Sequence, residues 1–151
     1  MAMKRAVYIL LTAAILLAGG IRLQAQQERH AIVIPVSFTD CSITASDEAI
    51  DSLLLELSKY YNAQFLGKTV FSFDRGPAAV LDNPFSYYGA NSTYKRDARA
   101  EEMARAACTA VNPDVDFSAY SNSDGTLNAV ILLAAGVNER AAQDQNRFWP
   151  K

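Results

Sequence analysis

The residues able to do chemistry are few and far apart. A single histidine, His30, and two cysteines, Cys41 and Cys108, are the only nitrogen and sulfur metal ligands of their kind in 151 residues. A catalytic zinc takes three protein ligands and keeps one position open. Neither cysteine has a neighbour at C-x-x-C spacing, so ligand count argues against zinc held by this chain alone. A Ser-His-Asp or Cys-His mechanism would have to use the same His30. That residue lies ahead of the first predicted strand, where a frayed segment cannot hold an imidazole in fixed geometry. Carboxylate pairs fare no better. Glu101 and Glu102 are adjacent on a predicted helix and diverge, and Asp114 and Asp116 flank Val115 in a predicted loop. Acid-base work needs two carboxyls in differently tuned, water-poor surroundings, so no catalytic residue is assigned.

The densest set of oxygens is the turn Ser121-Asn122-Ser123-Asp124-Gly125. Calcium is held by closely spaced oxygens around a glycine that permits a sharp bend. Asp116, Asn122, Asp124 and Asn128 are the weak calcium candidates, only two of them carboxylates. The competing reading is an Asx/Gly turn whose side chains bond their own backbone, and the low charge count favours it. Lys95, Arg96 and Arg99 form the one basic run, read as a solvated face. Phe85, Tyr87 and Tyr88 would either contact a ligand from a loop or pack over a sheet, the commoner use of such side chains. Cys41 and Cys108 allow one bridge, worth about 4 kcal/mol for a loop of that length. Two separate buried thiols are the other reading, and spacing cannot bring two Cα atoms within reach.

These groups must be positioned by a short series of elements. Residues 31–38 (AIVIPVSF) predict a first strand, β-branched and apolar, with Pro35 requiring one side free or bulged. A helix is predicted over 47–64, N-capped by Ser46, with Asp47 and Glu48 at the positive end of its dipole. Its buried stripe is Ile50, Leu53, Leu54, Leu57 and Tyr61, with Asp51, Ser52, Glu56 and Lys59 facing water. Residues 68–82 predict two short strands around Arg75-Gly76-Pro77. An aromatic loop follows, then a helix over 97–111 with Met103, Ala107, Ala110 and Val111 on one side and an i,i+4 Glu101–Arg105 pair on the other. Residues 128–135 are nearly all apolar, as a central strand covered on both faces requires. Beyond Gly136 the chain turns polar, and Trp149 is the large apolar anchor expected there. The order predicts an α/β (α+β) fold, a mixed twisted sheet with packed helices.

Composition bounds the surroundings. Lys4 and Arg5 precede an apolar run over 6–18, and Leu23-Gln24-Ala25 places a small residue before Gln26. That is the layout of a secretory signal peptide over 1–25, too short and too soon broken for a membrane span. The expectation is an exported protein, secreted or periplasmic, with no membrane association after cleavage. Residues 26–151 hold 11 cations against 16 acids, net −5. Nucleic-acid binding needs clustered Lys and Arg, so no nucleic-acid partner is expected.

Several stretches, taken in order, carry a resemblance. AIVIPVSFTD (31–40) is followed by YYNAQFLGK (60–68), YYGAN (87–91), VDFSAY (115–120), the Asp124-Gly125 turn, an apolar strand to Gly136, and Phe148-Trp149-Pro150. Together they resemble the first part of the catalytic domain of the immune-inhibitor-A-like secreted zinc metallopeptidases, over about residues 30–150. The resemblance implies the sheet half of a zincin-type domain, one wall of a cleft for a protein or peptide substrate. It also implies zinc for the full family domain, bound by a downstream H-E-x-x-H helix that these residues do not contain. The family's turn is richer in aspartate than this one, which has Ser121 and Ser123, and the family has His where Lys151 stands. No catalytic residue carries over. The expectation is a partial metallopeptidase-like domain over 26–151, inactive by itself; the alternative is a stand-alone exported binding module on the same scaffold.

Overall fold

The computed structural model describes residues 26–122 and 124–148. The signal-peptide expectation, Ser123 and the Trp149-Pro150 pair lie outside the described residues.

The longest strand organises everything else. β1 (Gln27–Ser37) pairs in parallel with β2 (Thr69–Arg75) and β3 (Ala79–Val80) along one edge and with β4 (Val130–Ala134) along the other. β2 and β3 share that edge end to end. The β2 ladder finishes at Val33–Arg75 and the β3 ladder starts at Val36–Ala79. Pro35 falls in the gap on that side while still facing Leu133 of β4. Proline has no N–H for a second ladder, so the break is placed where β1 has nothing to donate. Gly76 fills the turn at this break, donating to the Val33 carbonyl at 2.8 Å; a Cβ there would meet Ile32 Cδ1 at 2.9 Å.

Alternation along β1 divides the core in two. Val33 faces α1 (Asp47–Gln64), where it packs with Ile50 and Leu54. Ile32, Ile34 and Val36 face the opposite side and meet α3 (Ala100–Val111) through Met103, Ala107 and Val111. α2 (Phe85–Gly89) closes that larger core, with Phe38 and Phe85 in edge contact at 5.1 Å and Phe148 on Phe85 at 5.3 Å. A 3-10 turn (Phe117–Tyr120) precedes β4, and α4 (Glu139–Ala142) follows it. The β1–α1–β2 crossover and the one from β3 to β4 run in opposite directions across the sheet with helices on opposite faces, as uniform right-handed crossovers require. Among the described residues no helix is long and apolar enough to cross a membrane.

The result is a small open parallel sheet with helices on both faces, within the α/β class expected, but several expectations change. All three ladders are parallel rather than mixed; the only antiparallel pairing described is an isolated Ser121–Leu127 bridge. The central strand is β1, whereas β4 pairs with β1 alone and lies at the edge of the described sheet. α1 has the predicted bounds and cap, Ser46 Oγ accepting from the Ala49 N–H at 3.3 Å. Its stripe is narrower than its sequence period suggests, with Leu53 at 55% and Tyr61 at 37% exposure. α1 sits over β2 and the middle of β1 and leaves the same face of β4 thinly covered. α3 starts at Ala100, and Ala110 is exposed. Glu101 pairs with Lys95 at 2.9 Å in place of Arg105. Phe85 and Tyr88 are buried packing residues.

Candidate functional site

Two clusters gather around the first half of β1, one on each face of the sheet. On the α3 face His30 is held, not frayed, because β1 begins four residues earlier than the apolar run suggests. Paired opposite Ser72 of β2, it places Nε2 2.7 Å from Asp74 Oδ2 and its ring 4.7 Å from that of Tyr120. Tyr120 completes the group by donating its hydroxyl to the same Asp74 oxygen at 3.2 Å. Burial, then the Asp74 charge beside it, holds the Tyr120 phenol above its usual range. A polar groove of about 510 Å³ runs past Ser72, Asp74, Arg75 and Tyr120. His30 and Asp74 side chains are 37% and 50% exposed, so water competes with this hydrogen bond and screens it.

The four oxygen-bearing candidates separate into different roles, and only Asn122 and Asn128 join the cluster on the α1 face, through Arg29. Asp116 Oδ1 accepts from the Ser118 hydroxyl at 2.6 Å and N–H at 2.9 Å, and these bonds hold its carboxyl below the usual range. Asp124 does the same with Thr126, at 2.6 Å to the hydroxyl and 2.9 Å to the N–H. Those bonds, with a small contribution from the Arg29 charge, lower its pKa. Asn122 and Asn128 come together, and what lies between them is Arg29, whose Nη1 donates to Asn122 Oδ1 at 3.1 Å and Asn128 Oδ1 at 2.9 Å. A guanidinium therefore draws on the two amide oxygens that the sequence offers to calcium. Among the described residues no three His, Cys, Asp or Glu side chains are grouped to hold a metal ion.

Beside Arg29 lies a half-open groove of about 360 Å³, walled by Leu57 and Tyr61 of α1, Phe71 and Phe73 of β2, and Ile131 of β4. It exists because α1 covers β2 and stops short of β4. Phe71 is fixed there by Asn62, which accepts from its N–H at 2.6 Å and donates to its carbonyl at 3.2 Å.

The remaining candidates are structural. Glu101 and Glu102 diverge, to Lys95 and to the Tyr87 hydroxyl. Arg99 donates to the Tyr87 carbonyl at 2.9 Å and lies over its ring at 4.4 Å. Cys41 and Cys108 are both free and half-buried, and burial raises both thiol pKa values. Sequence reasoning missed the His30–Asp74–Tyr120 group and the role of Arg29. The one available signal was that polar residues can continue a strand at its exposed end.

No protein-family model matches the chain, and a search of curated proteins returns no match.

Proposed function

We propose that the chain is the sheet-bearing part of a secreted, immune-inhibitor-A-like metallopeptidase domain and does not cleave peptide bonds by itself. The observation that carries this reading is the course of residues 115–136. They run through a 3-10 turn, an Asp124-Gly125 turn and the apolar strand β4, which lies parallel to the central strand. The outer edge of β4 has no strand against it among the described residues, so a larger sheet has a place to continue. Ligand count supports the inactivity: a zinc centre takes three protein ligands, and the sequence has one histidine, here turned to Asp74. Zinc and a protein or peptide substrate belong, on this reading, to the full domain. Purified protein incubated with zinc and an unfolded protein substrate is expected to show no chelator-sensitive cleavage. Robust cleavage abolished by chelator overturns the inactivity.

A second reading, an exported non-catalytic binding module on the same scaffold, is favoured by the aromatic-walled groove beside Arg29. It requires the chain to close its core unaided, so heating should give a cooperative transition of a soluble monomer. Aggregation, or melting without cooperativity, would remove it.

A further inference from the structure

We infer that the groove beside Arg29 is a binding site for a free aliphatic monocarboxylic acid of medium chain length. The inference rests on the binding-module reading.

The argument begins with how Arg29 is held. Its Nη1 carries two hydrogens, and both are engaged, one by Asn122 Oδ1 and one by Asn128 Oδ1. These partners are neutral amides, so they fix the guanidinium in place without cancelling its charge. Among the described residues Nε and Nη2 have no partner. Those two nitrogens form the side-on edge of the fork, whose spacing matches the two oxygens of a carboxylate. Asp124, the carboxylate whose pKa feels Arg29, spends its Oδ1 on the Thr126 hydroxyl and N–H.

The walls specify the rest of the ligand. Leu57, Tyr61, Phe71, Phe73 and Ile131 present an apolar surface with Arg29 at its margin. Binding sites are mostly apolar concavities with a few placed polar groups, and this one has a single fixed cation. A volume of about 360 Å³ equals roughly a dozen water molecules, which suits a tail of about ten carbons. A second carboxylate would find no described cation in the wall, which selects a monoacid. Ile131 at 36% and Tyr61 at 37% exposure leave the mouth open for entry without backbone movement.

The test is calorimetric titration of the purified protein with decanoate, with amide chemical shifts recorded in parallel. Decanoate is expected to bind one to one, moving the signals of Arg29, Leu57, Phe71 and Ile131. Decanol, with the same tail and no charge, should bind roughly tenfold or more weakly, the loss set by a hydrogen-bonded charge pair. Arg29→Gln should lose the same factor for decanoate and leave decanol unchanged. Ile131→Asp, at a half-exposed wall position, should abolish decanoate binding while thermal unfolding stays cooperative. Equal affinity for decanoate and decanol, undiminished binding by Arg29→Gln, shifts confined to another surface, or no binding at millimolar decanoate each overturn the proposal. A short peptide ending in a free leucine carboxylate that binds more tightly than decanoate overturns the free acid as the occupant. These outcomes are independent of the thermal transition that tests the binding-module reading: a protein that melts cooperatively as a monomer yet fails to bind decanoate loses this inference and keeps that reading.

Discussion

Asp116 and Asp124 each fold back onto a serine or threonine two residues on, accepting from both its hydroxyl and its N–H. This is the local bonding that makes Asx turns compete with longer-range ligation. Their pKa values are depressed in the folded protein, chiefly by those bonds. A depressed carboxylate contributes stability that is complete above the ordinary carboxylate range and is lost as pH falls through the folded value. Thr126→Val removes one of Asp124's two bonds, so its titration midpoint should move up toward the ordinary range. Carboxyl-detected NMR would show the shift, and the variant's stability should fall less steeply on acidification. A midpoint unmoved by the substitution would mean that the hydroxyl contributes nothing to the depression. The turn pattern was legible in the sequence. The presence of Arg29 between Asn122 and Asn128 was not, because residues 93 and 99 positions apart meet only when β4 is laid beside β1.

At the scale of elements, end signals were read more faithfully than faces. α1 starts and stops at the predicted residues because Ser46 caps it and Asp47 and Glu48 fill its first turn. Ser46→Ala should cost about 1 kcal/mol and Ser46→Gly only a few tenths, read from urea unfolding midpoints. Equal losses for the two would show that the cap hydrogen bond is not what stabilises this end. The buried stripe of α1 is narrower than its period predicts because a 3.6-residue period reports which residues can share a face, and not how wide a partner that face meets. The partner is β2 with the middle of β1, so Leu53 and Tyr61 overhang it. The same helix protects the other sheet edge: Asn62 takes up both backbone groups of Phe71 on β2. Open strand edges invite further pairing unless they are covered, and the outer edge of β4 has no such cover among the described residues.

The whole molecule is centred on one strand. Ile32, Val33, Ile34 and Val36 are at most 2% exposed, because β1 has strands on both edges and helices on both faces. Ile34→Ala should therefore cost about 2–5 kcal/mol, a large part of the stability of a domain this size. Ile131→Ala, at the groove wall, should cost a small fraction of that. Urea denaturation with an unchanged slope would measure both, and similar losses at the two sites would contradict the placement of β1 at the centre. The amino-acid order alone determined the α/β class, the bounds of α1, the two short strands around Gly76 and the need for a break at Pro35, since each depends on neighbours within a few residues. Tertiary structure decided that every ladder is parallel, that β1 and not β4 is central, and that His30 meets Asp74 while Arg29 meets two asparagines. An apolar run states that a strand is buried but not by what. Which strands flank it, and therefore which polar side chains converge at its ends, follows from how the crossovers wrap around the sheet.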